Sequence, residues 1–308
     1  MNAVVHPGET AAQAEIPALR RASPQVFSER ARRFARLAQG HPMEAYLVFM
    51  GHLAAAQQIE LAADEPGFAA PEHDVLLQMR RAGRPPLTVD GWLRARPWQH
   101  ILRRLLAAIA PHAPVLMRPV IDRLVVTDDE ALEVMARRAL HGADPMHDPV
   151  VDPLLAAALQ VYWVRLAAAL DTDDIAVPQP SPVCPVCGSA PVASVMHGSG
   201  AVKGLRYLHC GLCETEWHLS RIRCSHCDDE KGVVYFAADE EQAVVRAEAC
   251  ESCHSYLKVV HCDKDAAADP VADDLASLSL DMAMAAEGFA RSGPNLLFVP
   301  GEDIRTAN

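Results

Sequence analysis

Four Cys-x-x-Cys pairs between positions 184 and 253 constrain this chain more than any other feature: CPVC (Cys184, Cys187), CGLC (Cys210, Cys213), CSHC (Cys224, Cys227) and CESC (Cys250, Cys253). Each cysteine of the first two pairs recurs 40 positions later, so that 184 becomes 224 and 213 becomes 253. Such a fixed interval marks an internal repeat. It extends beyond sulfur: Arg206 falls on Arg246, Leu205 on Val245, and Val195-Met196 on Tyr235-Phe236. Two copies of one small unit are expected, each with two short strands between its cysteine pairs and a turn near Gly198-Gly204 or Asp239-Gln242.

A Cys-x-x-Cys turn brings two thiolates onto one cation, and two such turns complete a closed tetrahedral site with no position left for water. Consecutive pairing assigns Cys184, Cys187, Cys210 and Cys213 to one ion and Cys224, Cys227, Cys250 and Cys253 to the other. Crossed pairing of alternate turns is the rival that spacing leaves open. Disulfides would need an oxidising compartment, to which the chain shows no route. A redox dithiol would need a βαβ setting, which the pattern lacks. Four thiolates suit zinc and equally a single iron. Cys184-Pro185-Val186-Cys187-Gly188 resembles the CPxCG turn of rubredoxins, whereas the other three pairs lack the glycine. His209, His226, His254 and His218 lie beside these turns and are assigned to their surroundings, because eight cysteines already fill two sets of four. Cys262 is the ninth; its repeat partner is Ile222, so it receives no ligand role.

The first 183 residues contain no cysteine, and composition divides the chain there. Ser23-Pro24 suits a helix start. Phe27, Arg30 and Phe34, then Tyr46, Leu47, Met50, Leu53 and Ala54, then Ile101, Leu102, Leu105, Leu106 and Ile109 recur at helical spacing. Thr127-Asp128-Asp129-Glu130 fits a capping box with Thr127 as the cap, and Leu154 to Leu170, with Arg165 inside, is read as a core helix. The fold class is therefore α+β: an all-α N-terminal domain, two tandem rubredoxin-like or zinc-ribbon-like tetracysteine β modules and a C-terminal helix. The expected divisions are a mobile tail at 1–22, the helical domain at 23–177, a Pro-rich linker at 178–183, modules at 184–223 and 224–264, and the last helix and tail at 265–308. That helix starts at Asp269-Pro270, with Asp273 and Asp274 at its positive end and Leu275, Leu278 and Met282 as its stripe.

No Gly-rich phosphate loop, nucleophile elbow or His-Glu-x-x-His is present in the helical half. His41, His52, His73, His100, His112, His141 and His147 share no ligand spacing, and Trp92, Trp98, Tyr162 and Trp163 are read as core. The expectation is a protein that is not an enzyme. A net charge of -12 argues against general attraction to nucleic acid. No run is apolar enough to span a membrane. Arg20-Arg21 resembles a twin-arginine export signal, but a charged amphipathic stretch follows where the apolar segment belongs. The expected location is the cytoplasm.

The words CPVCGSAPV (184–192), RYLHCGLCETEWH (206–218), AEACESCHSYLK (247–258), ADDLASLSLD (272–281) and EGFARSG (287–293) resemble the bacterial formate dehydrogenase accessory protein family FdhE. Phe289 stands where that pattern expects tyrosine. The resemblance implies a cytoplasmic protein that binds the catalytic subunit of respiratory formate dehydrogenase and is needed for its activity, with rubredoxin-like iron carried by the eight paired cysteines; zinc is the alternative. The expected role is that of an assembly chaperone. Two other classes stay open. One is a zinc-ribbon nucleic-acid binder using Lys203, Arg206, Arg221, Arg223 and Lys231; the other is a thiol redox or sulfur-transfer enzyme using Cys262 or a labile pair.

Overall fold

The computed structural model describes residues 16–63, 68, 71–89, 97–140, 148–178, 180–198, 204–220, 223–237 and 243–298. Trp92, His141, His147, Lys203, Arg221, the interior of both expected hairpin turns and the stretch 299–308 lie outside them. The amino-terminal part is helical: α1 (Val26–Leu37), α2 (Glu44–Ala62), α3 (His73–Arg81), α4 (Pro97–Ile109), α5 (Arg118–Val126), α6 (Asp129–Leu140) and α7 (Val151–Ala169). The sequence of α7 is apolar all round, as a helix must be to sit at the centre of a bundle. Leu154 to Val164 is buried throughout, and α2, α4 and α6 pack against it. Gln160 meets the polar requirement inside by accepting from Gln57 at 2.8 Å.

Two local expectations are corrected. The cap of α6 is Asp128, not Thr127: its carboxylate accepts from the Ala131 amide at 2.8 Å, while the Thr127 hydroxyl donates back to the Arg123 carbonyl. A carboxylate at that position satisfies an amide at the positive helix end, and Thr127 is left to finish α5. Residues 16–22 are also not a tail. They lie along the sheet edge as β1 (Leu19–Arg20), because the backbone groups there find partners in the neighbouring strand.

The sheet comprises β1, β2 (Pro191–His197), β3 (Leu205–Cys210), β4 (Glu216–His218), β5 (Val233–Phe236), β6 (Val245–Cys250), β7 (Ser255–His261) and β8 (Ala290–Arg291). Its order is β1-β4-β3-β2-β7-β6-β5, with β8 beside β7. The interval of 40 reappears in space, since β6 starts and ends 40 residues after β3. Within each copy the pairing is antiparallel; the copies join through the parallel contact of β2 with β7, where Val195 faces Val260. One continuous sheet results.

The C-terminal stripe forms two helices, α8 (Pro270–Ala276) and α9 (Leu278–Ala286), divided at Ser277. Asp269 caps the first by accepting from the amides of Val271 and Ala272, with Pro270 at the first helical position. No helix among the described residues is long and apolar enough to cross a membrane.

Candidate metal centre

Each of the four Cys-x-x-Cys segments folds into the same knuckle. The amide of the residue after the second cysteine donates to the carbonyl of the first: Gly188 to Cys184 at 2.8 Å, Glu214 to Cys210 at 3.1 Å, Asp228 to Cys224 at 3.1 Å and His254 to Cys250 at 2.9 Å. Closing this turn requires positive φ at the donor, and all four have it, at 79°, 58°, 67° and 53°. Glycine takes that conformation freely; Glu214, Asp228 and His254 take it at a cost of about 1–2 kcal/mol each. The missing glycines therefore left the turn intact.

The sulfurs gather in consecutive order, Cys184, Cys187, Cys210 and Cys213 in one set and Cys224, Cys227, Cys250 and Cys253 in the other, each within 4.8 Å of one another. The sulfurs of Cys184 and Cys213 lie 3.5 Å apart, those of Cys187 and Cys210 3.4 Å, those of Cys224 and Cys253 3.8 Å and those of Cys227 and Cys250 3.6 Å. A disulfide would bring them to about 2.05 Å. A tetrahedron of thiolates about 2.3 Å from a central ion has edges of roughly 3.8 Å. The donor set thus fits a four-coordinate thiophilic ion, zinc or iron. Amides support the sulfurs, Leu212 and Cys213 aimed at Cys210 and His226 and Cys227 at Cys224. The hydroxyls of Ser189, Thr215 and Ser255 lie 3.4, 3.3 and 3.0 Å from Cys187, Cys213 and Cys253.

The two sets differ in their surroundings. All four sulfur residues of the first are buried and share one core with α7. Leu87 and Val89, in the segment after α3, donate to the carbonyls of Val186 and Cys187, and Gln160 of α7 donates to Gly211 at 2.7 Å, so the amino-terminal part clamps both of its knuckles. In the second set Cys227 is exposed and Cys253 partly so.

A buried ionic network, which the sequence reading did not anticipate, links the first set to the helical part. Arg30 of α1 donates to both carboxylate oxygens of Glu214, at 3.0 and 2.6 Å, and to Asp269 at 3.0 Å. Arg33 holds Asp273 at 2.6 Å. His209, next to Cys210, holds Glu214 at 2.8 Å and lies 3.5 Å from Glu216, which in turn takes His197 at 2.8 Å. Burial pushes the Glu214 carboxyl up, but Arg30 and His209 reverse this and hold it at about 2. Burial opposes charge on His209 as well, yet the two carboxylates raise it to about 10. The available signal was Arg30 itself, an arginine on the apolar stripe between Phe27 and Phe34. Asp273 and Asp274 do more than serve the helix end: Asp274 accepts from Arg291 and lies 3.2 Å from the buried Lys258.

The remaining candidates have other employment. Burial, followed by the carboxylates of Glu216, Asp273, Asp269 and Asp263, pushes the Cys262 thiol up to about 12, unlike a nucleophilic cysteine. Arg206 is buried on Ser194 and Glu248, and Arg223 is paired with Asp228 and Glu230. Trp98 and Trp163 are core, His52 and His112 stack with ring centres 3.7 Å apart, and among the described residues only the two tetracysteine groups cluster as ligands.

A helical bundle fused to a repeated tetracysteine sheet, with each cluster shaped to hold one ion, defines a protein with two closed tetrathiolate metal sites. Family models describe the whole of this arrangement: FdhE N-terminal over residues 16–179, FdhE central domain over 183–221 and FdhE C-terminal domain over 222–298. An FdhE homolog from Edwardsiella ictaluri is 41% identical over 279 residues, 90% of each chain. Another from Pseudomonas aeruginosa is 37% identical over 304 residues, 97% of this chain and 98% of that one. The crystal structure of the FdhE protein from Pseudomonas aeruginosa superposes with a TM-score of 0.85 at 37% identity, covering 92% of this chain and all of that one. The chain belongs to the FdhE family, the formate dehydrogenase accessory proteins whose words it carries.

Proposed function

We propose that this protein is a cytoplasmic assembly chaperone of respiratory formate dehydrogenase that binds the enzyme's catalytic subunit and has no catalysis of its own. The observation that carries the reading is the first tetracysteine set, closed and buried between helices and sheet. A closed site has no position for substrate, and its ion would fix the mutual placement of two surfaces. Cys184, Cys187, Cys210 and Cys213 would hold one ion and Cys224, Cys227, Cys250 and Cys253 the other. Family resemblance favours iron, with zinc as the alternative. An iron bound there would supply a one-electron redox couple; the chain's own knuckle amides and hydroxyls would stabilise the thiolate charge around it.

The test is made in a bacterium lacking its own family member. Supplying this chain with an affinity tag should restore formate dehydrogenase activity and retain the catalytic subunit through purification. A folded, metal-replete chain that does neither would refute the reading. Metal content and visible absorption on anaerobically purified protein decide between iron, with thiolate charge-transfer bands, and colourless zinc.

A further inference from the structure

Residues 17–21 are held where a separate peptide could sit. β4 borders the sheet on one side, and the chain's own β1 covers it with only two paired residues, Leu19 opposite Trp217 and Arg20 opposite Glu216. The flanking backbone is also satisfied: the His218 amide donates to the Ala18 carbonyl at 3.0 Å and the Tyr207 hydroxyl to the Pro17 carbonyl at 2.9 Å. This is strand addition, in which main-chain bonds supply affinity and side-chain seats supply selection.

Both side-chain seats here select arginine. Arg20 places its Nε 3.1 Å from Glu216, with its guanidinium 5.5 Å from the centre of the Tyr207 ring. Arg21 donates to the carbonyls of Ala168 and Leu170, at the negative end of α7. A carboxylate beside an aromatic face, followed at once by helix-terminal carbonyls, accepts two consecutive planar cations. A cleft of about 640 Å³ continues from these seats and is lined by Glu29, Glu214, Glu216, Asp263 and Asp269, with Arg32 and Arg36 among its other walls. It leaves room for a longer ligand than the chain's own strand.

We infer that the β4 edge is a recognition site for an extended peptide bearing two adjacent arginines, and that residues 17–21 fill it as an internal stand-in. A tethered occupant competes at an effective concentration in the millimolar range. A free peptide therefore binds well only when the segment is released. The peptide's origin in a client enzyme rests on the proposed function above; its binding to purified protein does not, so the two fail separately.

The assay is fluorescence anisotropy of a labelled peptide with a central Arg-Arg pair, against the metal-replete full chain and against the full chain carrying Arg20→Ser and Arg21→Ser. The double variant should bind at least about tenfold tighter than the parent. A Lys-Lys peptide, and Glu216→Gln in the double-variant background, should each lose about tenfold, the worth of a charge-assisted hydrogen bond. Equal binding by parent and variant, or equal binding of both peptides, overturns the inference. Should the variants not fold, hydrogen exchange on the parent decides. Saturating Arg-Arg peptide should accelerate exchange at 17–21 while 216–218 stays protected, and unchanged exchange at 17–21 overturns it.

Discussion

Replacing Arg30 by methionine tests what joins the helical part to the first tetracysteine set. Methionine keeps an unbranched apolar stem in place of the fully buried arginine stem and ends where the guanidinium begins, so the charge and its hydrogen bonds are lost. Glu214 and Asp269 then face each other without their shared cation. Breaking a buried pair by deleting one partner costs about 3–5 kcal/mol. Glu214 points the same way: Arg30 and His209 together overcome its burial and hold its carboxyl at about 2, so deleting Arg30 removes one of its two cationic partners. Because the folded carboxyl is depressed, this stability is present above about 4.5 and disappears as pH falls towards about 2. The measurement is guanidinium unfolding of metal-replete protein, followed by fluorescence of the buried Trp163 and Trp217, on parent and Arg30→Met at several pH values. Metal content is read at each pH, and the two proteins are compared where both keep both ions. The difference should be about 3–5 kcal/mol at pH 7 and shrink towards pH 3. Arg30→Met with Glu214→Leu should recover part of the loss, since the stranded charge is gone. A single-variant cost under about 1 kcal/mol, or a double variant worse than the single, would refute the reasoning.

A chelator should remove metal in two phases, the second set emptying first, because Cys227 is exposed whereas all four residues of the first set are buried; simultaneous release, read by metal analysis, would contradict this. Gly293→Ala should destabilise the fold by about 3 kcal/mol in denaturant unfolding, because a Cβ there would lie 1.7 Å from the Pro191 carbonyl oxygen. Gly188→Ala meets ordinary contact distances, so only its positive φ opposes the change and the loss should be smaller, about 1–2 kcal/mol. Cys262 should resist alkylation at pH 8 in the folded chain and react on unfolding, since burial and nearby carboxylates raise its thiol to about 12; rapid labelling of native protein, mapped by mass spectrometry, would restore a reactive role.

The knuckles were legible because their determinants are local. Two cysteines three apart, an amide on the following residue and a recurring interval specify each turn without reference to the rest of the chain, and the same interval places β6 after β3. Helical periodicity likewise exposed the core faces of α2 and α4, and the unbroken apolar run of α7 marked it as a core helix. The parallel contact between β2 and β7 was not legible, because nothing in either strand's own sequence specifies which neighbour it takes across the repeat. Nor was β1: Leu19-Arg20 has no strand pattern, and its pairing depends on an edge supplied by residues almost 200 positions away.

The polar words shared with the family have a physical explanation once these long-range contacts are seen. Lys258, from the Tyr-Leu-Lys word, is buried and donates to the carbonyls of Asp274 and Ser277 and to the carboxylate of Asp281, all from the Asp-Asp-Leu-Ala-Ser-Leu-Ser-Leu-Asp word. Tyr256 donates to the other oxygen of Asp281 at 2.6 Å. Glu216, in the Glu-Trp-His word, gathers Arg20, His197 and His209, while Trp217 donates to Ser181 ahead of the first knuckle. A buried charge without its partner is strongly destabilising, so each word is tied to another distant in sequence. Arg30 and Arg33 extend the same rule to α1, where their partners are Glu214 after the second knuckle and Asp269, Asp265 and Asp273 around the start of α8. The helical part, the first cysteine set and the C-terminal helices therefore depend on one another through buried charges, while the second set includes the exposed Cys227 and the partly exposed Cys253. Loss of the first ion should disturb all three regions together, and loss of the second should stay local.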